Sequence, residues 1–271
     1  MLVLLSPAKN LNFDAAPDAP ASTKPALSKH TAELAETTRG LTRAKLRTLM
    51  NISENLADLN YQRFQDFKVS GKIANVKQAA LAFNGDVYLG LDAATLSADD
   101  LAYAQDHVRI LSGMYGLLRP LDAIQPYRLE MGSRLRNGRG ADLYAFWDGV
   151  IVKELTKALK SQDDKTIVNL ASKEYFNAAQ TDQLKTRVVT PVFKEEKDGA
   201  LRQLQFFAKR ARGLMARWIV QNRVDSVDGL KDFNVEGYAF QQDGSKDDTW
   251  LFTRPQPPLK SKQPAKKKAA A

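Results

Sequence analysis

The stretch TIVNLASKEYFNAAQTDQLKTRVVTPVF, Thr166 to Phe193, reads as strand, helix, strand. Thr166–Leu170 is a short apolar run rich in β-branched residues, and Arg187–Phe193 is another. Between them, Glu174–Leu184 has helical character. Downstream, Asp198-Gly199 predicts a hairpin turn between Arg187–Phe193 and a strand over Leu201–Phe207. A long helix follows over Ala208–Arg223. Tyr238–Gln241 and Thr249–Thr253 read as a closing hairpin around Asp243-Gly244. Upstream, Val150–Leu159 reads as a helix, and Met1–Leu5 as a buried strand ended by Ser6-Pro7. Asn12–Pro25 reads as a loop, and helical patterns dominate Ser28–Phe67, with Leu56, Leu59, Tyr61 and Phe64 near helical spacing. Lys72–Gly90 reads as a helix broken at Asn84-Gly85, and Ser97 with Asp100 forms a capping-box pattern. The fold class is therefore α/β: one mixed β-sheet surrounded by helices, in a single domain over residues 1–253.

Composition narrows the chemistry. The chain has no cysteine, which removes disulfides, zinc–thiolate sites, iron–sulfur clusters and thiol nucleophiles. Its two histidines, His30 and His107, are not in a Glu-x-x-His arrangement, so a ferritin-like di-iron centre is not expected; no metal site or cofactor is expected for this chain. The start, MLVLLSPAKN, lacks a basic n-region, and no apolar run reaches membrane-spanning length. A cytoplasmic protein that does not enter membranes is expected. The net charge of +9 is unevenly placed. Six of the 40 basic residues and none of the 31 acids fall from Thr253 onward, so the rest is close to balance. Residues 254–271 read as a disordered basic tail.

Two segments concentrate positive charge. In Arg109–Gly132, RILSGMYGLLRPLDAIQPYRLEMG, glycines and prolines fit a shaped loop, and Tyr115 and Tyr127 alternate with Arg109, Arg119 and Arg128. Arg134 and Arg136 follow. On a wheel of the helix Ala208–Arg223, Lys209, Arg210, Arg212, Arg217 and Arg223 fall within roughly 160°. Gly213 sits mid-arc, where a backbone or ligand can come close, and Val220 on the same arc argues for partial cover. These residues suit anion or nucleic-acid contact, or arginines paired to distant acids. A helix-hairpin-helix element is conceivable at Ser112–Gly116, with non-standard glycine spacing, or at Val227–Leu230.

Two motifs follow strands: Ser6-Pro7-Ala8-Lys9, and Ala171-Ser172-Lys173-Glu174-Tyr175. Strand ends are where α/β sheets bind ligands. Lys9, Tyr115, Arg128, Glu130, Ser172 and Glu174 are thus candidates for a catalytic pocket. There Arg128 would hold an anion, Glu130 or Glu174 would act as acid–base, and Lys9 or Tyr115 would stabilise charge. Ser172 is equally suited to capping the next helix.

SPAKNLNF, FNGDVYLGL, RILSGMYGLLRPLDAIQPYRLEMG, NLASKEYF, VVTPVFKE and KRARGLMARWIV occur in this order. Together they resemble the YaaA family of peroxide-stress-response proteins over nearly the whole chain. The resemblance implies a cytoplasmic protein that limits intracellular free iron and protects against oxidative damage. It also implies an unusual mixed α/β fold with a basic cleft and a helix-hairpin-helix element. DNA, duplex or branched and with weak sequence preference, is the implied partner. The residues expected to contact it are Arg109, Arg119, Arg128, Arg134, Lys209, Arg210, Arg212, Gly213 and Arg217. The alternative is an enzyme acting on a small anionic or nucleotide-like substrate in a pocket lined by Lys9, Arg128, Glu130 and Ser172.

Overall fold

The computed structural model describes residues 1–15, 20–71 and 73–258; the basic tail beyond residue 258 lies outside the described residues. The helices are α1 (Ser28–Arg39), α2 (Arg43–Met50), α3 (Glu54–Asp66), α4 (Ala79–Ala82), α5 (Asp86–Leu91), α6 (Ala98–His107), α7 (Leu143–Trp147), α8 (Val150–Lys160), α9 (Lys173–Asn177) and α10 (Gln205–Gln221). The first strands are β1 (Leu2–Leu5), β2 (Asn10–Leu11), β3 (Lys77–Gln78), β4 (Phe83–Asn84), β5 (Val108–Ser112), β6 (Gly116–Leu118) and β7 (Ala123–Ile124). They are followed by β8 (Ile167–Leu170), β9 (Val188–Lys197), β10 (Ala200–Arg202), β11 (Ala239–Lys246) and β12 (Thr249–Pro255).

The main sheet runs β11-β12-β9-β8-β1-β5-β6, with β10 on β9. Its five central strands, β12 to β5, are parallel, and its outer pairings are antiparallel. The all-apolar run Leu2–Leu5 suits the strand covered on both faces: every residue of β1 is buried, between β8 (Leu5 opposite Leu170) and β5 (Val3 opposite Val108). The mixed sheet and single core expected from sequence are both present.

The chain leaves β1 for β5 on one side, and β8, β9 and β12 then build outward on the other. The order reverses between β1 and β8. Crevices form at such switch points, outside the carboxyl ends of the strands.

Several local readings change. The helix expected over Glu174–Leu184 is only the single turn-and-a-half α9, because Gln180 takes a left-handed φ of 47° and a 3₁₀ turn follows. The strand over Leu201–Phe207 stops at Arg202, and Phe207 is already helical. Asp198-Gly199 does turn β9 into β10, with φ of 53° and 74°. The final hairpin turns at Asp247-Asp248 instead of Asp243-Gly244, which falls where the register of β11 slips. Lys72–Gly90 is no single helix: its described residues form β3, α4, β4 and α5. On α3 the buried face is Ala57, Asn60 and Phe64, leaving Leu56 and Leu59 exposed. Ser97 and Asp100 form the expected capping box on α6. Arg254, placed in the tail by composition, is a buried member of β12.

Neither proposed place forms a helix-hairpin-helix. Ser112–Gly116 is the tip of the β5–β6 hairpin, and Val227–Leu230 lies in a 3₁₀ turn after α10.

Candidate functional site

A cavity of about 480 Å³ opens at the switch point. Its floor is the end of β1 and the end of β8: the Ser172 N–H donates to Ser6 Oγ at 2.8 Å, and the two hydroxyls are 3.3 Å apart. Ser172 stands at the N-cap of α9, yet its side chain makes no capping bond because it turns to Ser6. One wall is the Tyr127–Glu130 segment, and the other is Asp86–Tyr88 of α5 with Lys209 and Arg212 of α10.

The walls are fixed from behind. Tyr88 donates to the Ser6 carbonyl at 3.0 Å, and Tyr127 pairs with the Ser112 hydroxyl at 2.7 Å. Burial raises the pKa of both phenols, so they remain neutral. Glu174 accepts the Gly132 N–H at 2.9 Å and so ties α9 to the loop after Arg128. At Gly113 an added Cβ would lie 2.3 Å from the Leu129 carbonyl oxygen, so only glycine lets the β5–β6 turn pack against the Arg128 segment.

Charge in the cavity is unevenly matched. Glu130 bonds Lys9 Nζ at 2.8 Å and Arg128 Nη2 at 3.1 Å. Arg128 Nε is buried without a hydrogen-bond partner. Arg63 lies close enough that the charge of Arg128, after burial, helps lower its pKa. Arg212 has no ion-pair or hydrogen-bond partner among the described residues, and burial lowers its pKa without neutralising it. Lys209 at the rim has none there either.

Lys9, Arg128, Glu130, Ser172 and Glu174 therefore meet in one concave site, joined by Lys209 and Arg212. Tyr115 does not: its hydroxyl is buried and accepts the Gln125 N–H at 2.8 Å, beside a different cavity. The remaining basic residues are placed elsewhere or are already engaged. Arg109 bonds the carbonyls of Gln105 and Val108, and burial, aided by the charge of Arg119, lowers its pKa to about 10. Arg119 clamps the buried Asp122 through Nε and Nη2 at 3.2 and 2.9 Å. Arg134 is exposed beside Leu41, Leu49 and Arg136 at a separate surface hollow. Arg217 donates to the carbonyls of Leu91 and Asp92, closing the end of α5. Arg223 pairs with Asp100 at 2.7 Å. Gly213 meets a backbone, not an open surface: its added Cβ would lie 1.8 Å from the Val87 oxygen. Val220, the hint that this arc is covered, is fully buried.

Arg210 pairs with Glu236 at 2.8 Å. Burial acts to raise the Glu236 pKa, but hydrogen bonds from Arg210 and Arg254 outweigh it and hold the carboxyl below its usual range. A depressed folded pKa stabilises the fold above the ordinary carboxylate range and loses that effect as pH falls through the folded value. Urea unfolding of an Arg210→Ala variant should accordingly show a smaller stability loss from neutral to acidic pH than the parent. An equal loss would remove this ion pair as a source of acid sensitivity.

A family model described as Peroxide stress protein YaaA matches residues 1–244. The chain belongs to the YaaA family. Among relatives, a UPF0246 protein of Burkholderia mallei (strain SAVP1) is 53% identical over 256 residues, covering 94% of this chain and 98% of the relative. A UPF0246 protein of Maricaulis maris (strain MCS10) is 53% identical over 265 residues, covering 98% and 100%. The matched region in this YaaA family chain includes every residue of the cavity.

The cavity residues that sequence reasoning passed over are Asn10, Asn84, Asp86 and Tyr88. For Asn84, Asp86 and Tyr88 the signal was the Asn84-Gly85 break, which opens α5 at the rim; Asn10 carried none. No helix among the described residues is long and apolar enough to cross a membrane.

Proposed function

We propose that this protein acts in the peroxide stress response by binding DNA, and that the switch-point cavity is where it grips phosphate. The convergence of Lys9, Arg128, Lys209 and Arg212, from three separated segments, on one concave site supports the reading. Lys9 and Arg128 share Glu130, while Lys209 and Arg212 have no acid partner among the described residues and are the cations best placed to attract phosphate and release counterions. Phosphate contacts carry no sequence information, so recognition would follow the backbone and shape of duplex or branched DNA. Binding would shield DNA from oxidative damage. Lower free iron would be an indirect result, since no group of three or more potential His, Asp or Glu ligands clusters among the described residues.

Binding to duplex and branched DNA across a salt series tests this. The Lys209→Ala/Arg212→Ala double variant should bind more weakly and lose about two units from the slope of log K against log salt. An unchanged slope would place the contacts elsewhere. A chain ending at Pro258 that fails to bind DNA even at low salt would end the DNA reading for the folded body.

A second reading has its own support: the cavity falls in the size range of small-molecule sites, about 300–1,000 Å³, and it holds Glu130 and Glu174 beside the cations. It is an enzyme acting on a small anionic or nucleotide-like substrate, with Arg128 holding the anion and a carboxylate moving a proton.

A further inference from the structure

We infer that the cavity is a phosphomonoester site: it takes the terminal phosphate of a nucleotide unit, not the internal diester of a continuous strand. The inference deepens the phosphate-gripping reading above and rests on it.

The first argument is charge. Glu130 already occupies Lys9 and one arm of Arg128, but Arg212 and Lys209 remain without partners among the described residues, and Arg128 keeps a buried Nε unbonded. Arg63 adds positive potential behind Arg128. A phosphomonoester carries about −1.5 to −2 at neutral pH and three strong acceptor oxygens, whereas a diester carries a single charge. Asp86 and Glu174 line the same cavity and offset part of its positive charge, so the match is in donors: Arg212, Lys209 and the unbonded Arg128 Nε suit three acceptor oxygens, where a diester offers two free ones. Arginine supplies the forked donors that phosphate oxygens accept.

The second argument is shape. The sheet closes the floor through Ser6 and Ser172, and Tyr88, Tyr127 and Tyr175 are buried around it. With the strand ends as its floor, the cavity can seat a terminal phosphate against Ser6 and Ser172. The third is polarity. Asn10, Asn84 and the carboxylates of Asp86 and Glu174 line the same cavity, offering donors and acceptors for sugar hydroxyls and base amino groups. One chemistry, a nucleoside bearing a terminal phosphate, satisfies all three.

The full chain should be titrated calorimetrically with deoxynucleoside 5′-monophosphates, with the matching nucleosides, and with short single strands carrying either a 5′-phosphate or a 5′-hydroxyl. At least one phosphate-bearing probe should bind roughly ten- to hundredfold tighter than its phosphate-free counterpart, the loss expected from one or two charge-assisted hydrogen bonds. Arg212→Gln should erase that preference. Lys209→Gln, at the exposed rim, should reduce it and guards against misfolding of the first variant. Preference for free monophosphates assigns the source to a mononucleotide, and preference confined to phosphorylated strands assigns it to a DNA end; both support the site. Equal binding of phosphorylated and hydroxyl strands, with no binding of monophosphates, would overturn the inference while leaving DNA binding standing. Monophosphate binding without any DNA binding at low salt would overturn the DNA reading and leave the phosphomonoester site standing.

Discussion

Replacing Glu195 with alanine will lower the free energy of unfolding by about 3–5 kcal/mol, the range for removing one partner of a buried ion pair. Glu195 has no exposed surface. It accepts the Tyr238 hydroxyl at 2.5 Å and the Leu204 N–H at 3.3 Å, with Arg254 Nε 3.8 Å away. Arg254 is itself buried, stacked over Tyr238 and Phe207, and its Nε has no hydrogen bond. Truncation leaves that guanidinium with Glu236 alone, at 2.9 Å, and strands the buried Tyr238 hydroxyl. Three elements share the damage: β9 carries Glu195, β12 carries Arg254, and Leu204 opens α10. Glu195→Gln keeps the shape and an acceptor, so it should cost less than the alanine. Urea unfolding followed by circular dichroism measures both. A loss under about 1 kcal/mol for the alanine, the value of an exposed pair, would contradict the buried-network account.

Gly213→Ala should destabilise the protein by about 1–3 kcal/mol through overpacking, although alanine is the better helix former by about 0.8–1.0 kcal/mol. The new methyl would stand 1.8 Å from the Val87 carbonyl oxygen and 2.7 Å from the Leu91 nitrogen, both helical backbone of α5. No rotamer relieves such a contact, so one helix must move. Gly90 mirrors it: an added Cβ there would lie 2.2 Å from the Arg210 carbonyl oxygen. The crossing seats Lys209 and Arg212 beside Asp86 and Tyr88 on one wall, so prying it apart should distort the cavity and weaken phosphate binding along with stability. Gly138→Ala, with open space around it, is the control expected within about 0.5 kcal/mol of the parent. A Gly213→Ala variant with an unchanged melting temperature would show that the helices can separate freely.

The sequence was most readable where burial alone sets structure. Leu2–Leu5, Ile167–Leu170 and Val188–Phe193 are apolar runs of strand length, and each is a strand of the parallel centre. Asp198-Gly199 was readable because its left-handed φ values favour those residues. Elements decided by a single backbone angle were not: Gln180 ends a helical pattern that its side chain does not advertise. The site was half legible. Residues after strand ends, Lys9, Ser172 and Glu174, were found by a rule about sheets and were expected to meet Arg128 and Glu130, but the arrival of Lys209 and Arg212 in the same cavity was not visible in spacing. The wheel drawn over Ala208–Arg223 overran the helix, since α10 ends at Gln221 and Arg223 takes a left-handed φ of 51°; and Glu236 and Asp100, which neutralise Arg210 and Arg223, come from remote parts of the chain. Charge counted along one helix cannot reveal acids supplied by another.

The central position of β1 has a consequence for synthesis of the chain. Leu2–Leu5 leaves the ribosome well before both of its neighbours, Val108–Ser112 and Ile167–Leu170. Until both have emerged, a wholly apolar strand with open edges must wait, the kind of segment that seeds misassembly. Nascent and prematurely terminated chains of this protein therefore carry an adhesive unpaired strand, and shielding by chaperones would matter most before Leu170 is made.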